Sequence, residues 1–221
     1  HGCCHNPTGA DPSPSQWRAL INLIRDRNLL PLVDLAYQGF AAGIVEDAVP
    51  IRTLAGSGID LMICSSFSKN FGLYRERVGA LTMVTATRSI SDAVMSQVKR
   101  SIRSNYSNPP AHGGTIVATV LGDPDLHHRW VKEVTSMRER INGIRNLLAE
   151  KLSAYQIPGD FTFLARQRGM FSFTGLTPDQ VDRLRDRYSI YIVRSGRINV
   201  AGINSQNIDR LCTAMKDVIE S

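Results

Sequence analysis

The apolar run Leu61-Met62-Ile63-Cys64 and the polar stretch behind it, Ser65-Ser66-Phe67-Ser68-Lys69-Asn70-Phe71-Gly72-Leu73-Tyr74-Arg75-Glu76-Arg77-Val78-Gly79, constrain this chain more than any other segment. The apolar run reads as a buried strand. Small hydroxyl residues and a lysine at its C-terminal end then fall where open α/β sheets place their ligand sites. A lysine there can condense with an aldehyde, while Ser66, Ser68 and Arg77, eight positions beyond the lysine, can hold a phosphate. The same residues also suit a polar turn with a solvated lysine, so the rest of the chain has to decide.

Upstream, Leu30-Pro31-Leu32-Val33-Asp34-Leu35-Ala36-Tyr37-Gln38-Gly39-Phe40 is a second short apolar strand that ends in an acid, with a tyrosine three residues later. An aspartate at a strand end also serves as a cap or turn residue. His5-Asn6-Pro7-Thr8-Gly9 is a turn, or loop, at the exit of a strand expected at the chain start. In this order, and continued by Arg103-Ser104-Asn105-Tyr106-Ser107-Asn108-Pro109-Pro110 and Ser195-Gly196-Arg197-Ile198-Asn199-Val200-Ala201-Gly202, these segments resemble the pyridoxal phosphate aminotransferases of fold type I. The resemblance is to the aspartate and aromatic subgroup and runs the length of the chain.

That resemblance implies a role for each matching residue. Lys69 would attach the cofactor and then move a proton between the substrate α-carbon and the cofactor. Asp34 would be a buried carboxylate that keeps the pyridine nitrogen protonated, because an anion beside it favours the charged form. Tyr37 and Asn6 would donate to the phenolate oxygen, and Ser66, Ser68 and Arg77 would hold the phosphate. Arg197 would clamp the substrate α-carboxylate, next to Asn6. Arg103 would reach a second carboxylate from the neighbouring subunit of a homodimer, so that active sites are shared. Planar guanidinium forks suit both tasks. Asn108 leans towards aspartate as substrate, although the aromatic alternative stays open. The other arginines, among them Arg100, Arg138, Arg140, Arg145, Arg183, Arg185 and Arg187, are expected to face solvent.

Composition excludes several alternatives. With 43% hydrophobic residues in a chain of 221, a substantial core can be buried, which a disordered polymer could not do. A net charge of +6 permits nucleic-acid or membrane contact, but acids alternate with bases and no compact basic run appears, so neither partner is expected. His1-Gly2-Cys3-Cys4-His5 has no second ligand pair at zinc-finger spacing, and no metal is expected. Cys64 and Cys212 read as small core residues. No signal peptide or membrane-length apolar run is present, which points to the cytoplasm.

The expected fold is α/β: a mainly parallel sheet with flanking helices, part of a large cofactor-binding domain, plus a small α+β domain. The segments are residues 1–122 for the large domain, 123–155 for a long linking helix and 156–221 for the small domain. Val78–Val84 reads as a strand and Ser91–Arg103 as a helix. Leu126, Trp130, Val134, Met137, Ile141, Ile144 and Leu148 recur at threes and fours on the long helix, with Trp130 as a packing residue. Phe161–Leu164, Met170–Phe173 and the region of Tyr191 read as strands, with helices begun at Thr177-Pro178-Asp179 and Ser205. Against the family pattern the chain resembles a C-terminal portion, without the glycine- and serine-containing phosphate loop and the ring-stacking aromatic. The activity implied is transfer of an amino group from aspartate or an aromatic amino acid to 2-oxoglutarate. The alternative is a noncatalytic module that binds a partner or the missing half.

Overall fold

The computed structural model describes residues 1–221 and divides into two compact units, one of residues 1–2 and 12–134, the other of residues 3–11 and 135–221. This differs from the three segments drawn from sequence. The long helix does not stand apart, and residues 3–11 group with the C-terminal unit.

The first unit is built on a three-stranded sheet in the order β1 (Leu32–Leu35), β2 (Leu61–Ser66), β3 (Gly79–Val84). β1 and β2 are parallel, with Asp34 opposite Cys64, and β2 and β3 are antiparallel, with Ser66 opposite Gly79. The sheet within this chain is therefore mixed. Parallel pairing of β1 with β2 requires a crossover, and the short helix α2 (Val49–Ala55) lies in it. Strand β1 shows a period of two: Val33 and Leu35 are buried while Asp34 between them is half-buried, on the other face. A Cβ at Gly79 would lie 2.6 Å from the Ser65 carbonyl oxygen, so glycine lets β3 close onto β2 beside the serines. The strand expected before His5 does not form; Gly2 N–H alone donates to the Asp34 carbonyl at 2.7 Å.

Helix α1 (Pro14–Asp26) starts with Ser13 and Gln16 in a reciprocal capping box and buries Trp17, Ile21 and Ile24. Helix α3 (Arg88–Asn105) begins at a Thr87 cap and buries none of its residues, and α4 (Ala111–Gly122) follows. Helix α5 (Pro124–Ala154) realises the long periodic stretch, with Val134, Ile141 and Leu148 buried.

In the second unit, β4 (Phe171–Phe173) pairs antiparallel with β5 (Arg197–Asn199). Helix α7 (Pro178–Tyr188) has its own capping box, Thr177 with Gln180, and packs against α8 (Ile208–Glu220), which buries Ile208, Leu211, Cys212, Ala214, Met215 and Val218. Burial pushes the Cys212 thiol up to about 11, so it behaves as an inert core residue.

Two strand expectations in this unit fail. Residues 161–164 are not a strand: Asp160 accepts the Thr162 N–H at 2.8 Å and starts a helical turn, α6 (Phe163–Arg166), which buries Leu164. The Tyr191 region is not a strand either. It is one leg of a turn closed by Gly196 N–H on the Val193 carbonyl; Val193 N–H reaches the Arg197 carbonyl of the strand that follows at 3.4 Å, and Tyr191 is 77% exposed. No helix is long and apolar enough to cross a membrane.

Candidate active site

In the first unit the ends of β1 and β2 bring four expected residues into one electrostatic group. Lys69 Nζ lies 4.4 Å from the centre of the buried Tyr37 ring. The Lys69 amine is held below the ordinary lysine range, first by burial, against the attraction of Asp34, and further by the positive charge of Arg77. Asp34 is less enclosed than expected, with its side chain 47% exposed and its Oδ2 3.9 Å from His1 Nε2. The alternation along β1 explains this, because the face opposite Val33 and Leu35 is not covered by this chain's own core.

The loop that carries Lys69 is pinned on both sides of the lysine. Ser68 is buried and its N–H donates to Ser66 Oγ at 3.2 Å. Asn70 is also buried; its Nδ2 donates to the Gln38 carbonyl at 3.2 Å, and its own carbonyl accepts the Trp130 indole N–H at 2.7 Å. Phe71 stacks on Trp130 with ring centres 4.7 Å apart and meets Phe67 edge-on. Trp130 is thus a packing residue that also fixes the lysine loop. Arg77 is exposed, has left-handed backbone (φ 51°) and donates from Nη1 to the Tyr74 carbonyl at 2.8 Å. A hydroxyl pair, a guanidinium, a partly buried amine, a phenol and a carboxylate form a donor set suited to an aldehyde cofactor that bears a phosphate.

The second unit holds the Asn6–Arg197 pair. Arg197 Nη1 donates to Asn6 Oδ1 at 3.1 Å, and the guanidinium carbon sits 4.8 Å from the centre of the Phe171 ring. Arg197 opens β5 opposite Phe173 and follows the turn that Gly196 N–H closes on the Val193 carbonyl. The Asn6-Pro7 peptide bond is cis, and Asp11 accepts the backbone N–H groups of Cys4 and His5 at 2.8 and 3.0 Å.

Arg145, expected on the surface, is 1% exposed. Its guanidinium donates to the carbonyls of Gly169 (2.6 Å) and Phe171 (2.7 Å) and to Ser172 Oγ (2.6 Å). Burial lowers its pKa to about 10, which leaves it charged at neutral pH. It ties down the turn that leads into Phe171, the ring beneath Arg197. Gly169 in that turn has φ +78°, and a Cβ there would lie 2.4 Å from Cys4 Cβ, so only glycine fits.

Arg103 stands apart from these groups. It lies exposed in the last turn of α3, where it donates to Ser107 Oγ, and no bond joins it to another candidate residue.

The chain is similar to known proteins over nearly its whole length. The chain is 53% identical over 219 residues to the aspartate aminotransferase of Haemophilus influenzae, covering 99% of this chain and 55% of that protein. It is 47% identical over 218 residues to the aromatic-amino-acid aminotransferase of Pseudomonas aeruginosa, with the same coverage of 99% and 55%. Among solved structures it superposes with a TM-score of 0.97 at 49% identity on an aromatic-amino-acid aminotransferase from Burkholderia pseudomallei covalently bound to pyridoxal phosphate, over 99% of this chain and 55% of that one. The chain therefore spans about half the length of the relatives it matches. The sequence model of the family "Aminotransferase class I and II" matches residues 1–215, and the chain belongs to that family.

Proposed function

We propose that this chain carries the lysine-bearing part of a pyridoxal phosphate-dependent aminotransferase that moves an amino group from aspartate or an aromatic amino acid to 2-oxoglutarate. The observation that carries the reading is the Lys69 amine: partly buried, set over the Tyr37 ring and placed between the opposing charges of Asp34 and Arg77. A lysine depressed in this way keeps more of its neutral, nucleophilic form near neutral pH.

Bound there, the cofactor would supply an electron sink for charge that develops at the substrate α-carbon. The remaining work belongs to the chain. Lys69 would hold the aldehyde group and would be the base that removes and returns the substrate α-proton. Asp34 would keep a proton on the ring nitrogen. Tyr37 would donate to the ring oxygen, Asn6 has the same role in the family pattern, and Ser66, Ser68 and Arg77 would hold the phosphate. Arg197, backed by Phe171 and oriented by Asn6, meets the α-carboxylate. Arg103 meets the second carboxylate of a dicarboxylic substrate from the partner protomer of a homodimer, a role that suits its exposed position. The relative from Dictyostelium discoideum is named as cytoplasmic, which supports the same location here.

The test is formation of the oxo acid from aspartate and from phenylalanine by the intact protein supplied with pyridoxal phosphate and 2-oxoglutarate. Turnover by the parent protein, reduced in Lys69→Ala to the rate of the free cofactor, is the expected result. Retention of turnover in Lys69→Ala would remove Lys69 from the chemistry. Absence of turnover in the parent would favour a noncatalytic binding module.

A further inference from the structure

Asp47 has no part in the chemistry above, yet it is 4% exposed. Its carboxylate accepts four backbone N–H groups: Oδ2 takes those of Gly39 (2.8 Å) and Ala41 (3.0 Å), and Oδ1 those of Ala42 (2.8 Å) and Gly43 (3.3 Å). A buried carboxylate is costly unless its lone pairs are filled, and here four amides of one loop fill them. The loop is thereby wrapped around a single side chain. One end begins at Tyr37, whose ring lies beneath Lys69 Nζ and whose carbonyl accepts the Phe40 N–H at 3.1 Å. Beside it, the Gln38 carbonyl accepts the Asn70 amide at 3.2 Å, and Gln38 Nε2 donates to the Ile44 carbonyl at 2.7 Å. Asn70 is the next residue in the chain after Lys69.

We propose that Asp47 is a positioning residue for Lys69: by ordering the loop of residues 39–43 it fixes both the Tyr37 ring under the amine and the carbonyl that anchors Asn70. This rests on the reading of Lys69 as the reacting amine. Its physical content is separate, because a loosened loop admits water around Nζ and relieves the burial that holds the amine below the ordinary lysine range.

The experiment is competitive acetylation of the intact, cofactor-free protein across a pH series, with the Lys69 peptide followed by mass spectrometry. In Asp47→Asn an amide NH₂ faces backbone donors, the loop is released, and the Lys69 midpoint rises towards that of an ordinary lysine while those of Lys132 and Lys151 do not move. Asn70→Ala cuts the link without touching the carboxylate and shifts the midpoint in the same direction, and the double variant shifts it no further than the larger single change. A folded Asp47→Asn protein with the parent Lys69 midpoint overturns the proposal, whatever its melting temperature. Should that variant not fold, Asp47→Glu keeps the charge and moves it by one methylene. It is expected to give a smaller rise, and an unchanged midpoint again overturns the proposal. Failure of the parent to take up pyridoxal phosphate at Lys69 would instead remove the functional reading and leave this titration intact.

Discussion

The two clusters of candidate residues are built by opposite means. Asp34, Tyr37, Lys69 and Arg77 come from one stretch of chain, and two adjacent parallel strands set the places of Asp34 and the lysine loop. Asn6 and Arg197 lie 191 residues apart in sequence, and their pairing depends on a two-stranded ribbon and the segment that precedes α1. A sheet supplies its strand ends with position directly. The arginine side needs a separate support, which Arg145 provides by donating to the carbonyls that lead into Phe171. The lesson is that a catalytic group can be placed by backbone pairing, whereas a long guanidinium must be held through its neighbours.

If this contrast is right, the two regions fail differently. The largest effect is expected from Arg197→Met, which removes a charge that every amino acid substrate meets. Catalytic efficiency should fall for aspartate and phenylalanine alike, by about 3–5 kcal/mol in transition-state terms, mostly through KM, with cofactor attachment at Lys69 unchanged. Loss of attachment in this variant would show that the two regions are not separable. Next in size is Arg103→Ala, measured as the ratio of efficiencies for aspartate and phenylalanine. A selective loss of about 2–4 kcal/mol for the dicarboxylic substrate is expected, and an equal loss for both would leave Arg103 an ordinary surface residue.

Arg145→Met sharpens the comparison from the side of stability. Several buried carbonyls and the Ser172 hydroxyl lose their donor, which costs about 2–3 kcal/mol. The denaturant midpoint should fall and substrate KM should rise, while the Lys69 amine keeps its lowered titration. A shifted Lys69 titration would contradict the separate support assigned to the arginine side.

What could be read from sequence follows the same division. The lysine region was legible because its residues are local and the strands β1 and β2 show plain apolar runs. Arg145 was not, although a signal existed: it lies four residues after Ile141 and three before Leu148, on the buried stripe of α5, where a charged residue needs an internal partner. Phe161–Leu164 misled because a short apolar run fits a strand or a helical turn equally, and the Asp160 side chain settles it locally in favour of the turn. The apolar residues 190–193 misled for another reason: they meet β5 through a long bond from the Val193 N–H to the Arg197 carbonyl at 3.4 Å, and strand propensity becomes a strand only when a ladder of such bonds forms. Asp47 gave no usable signal, because its role exists only once the loop of residues 39–43 has folded around it.

The most direct measurement is borohydride reduction of the intact protein with pyridoxal phosphate, followed by mapping of the labelled peptide over a pH series. The account predicts the label on Lys69. It also predicts that labelling persists to lower pH there than on surface lysines, because a lowered pKa leaves the amine neutral further into the acid range. Label distributed over Lys99, Lys132, Lys151 or Lys216, or Lys69 labelling that fades at the same pH as theirs, would contradict it.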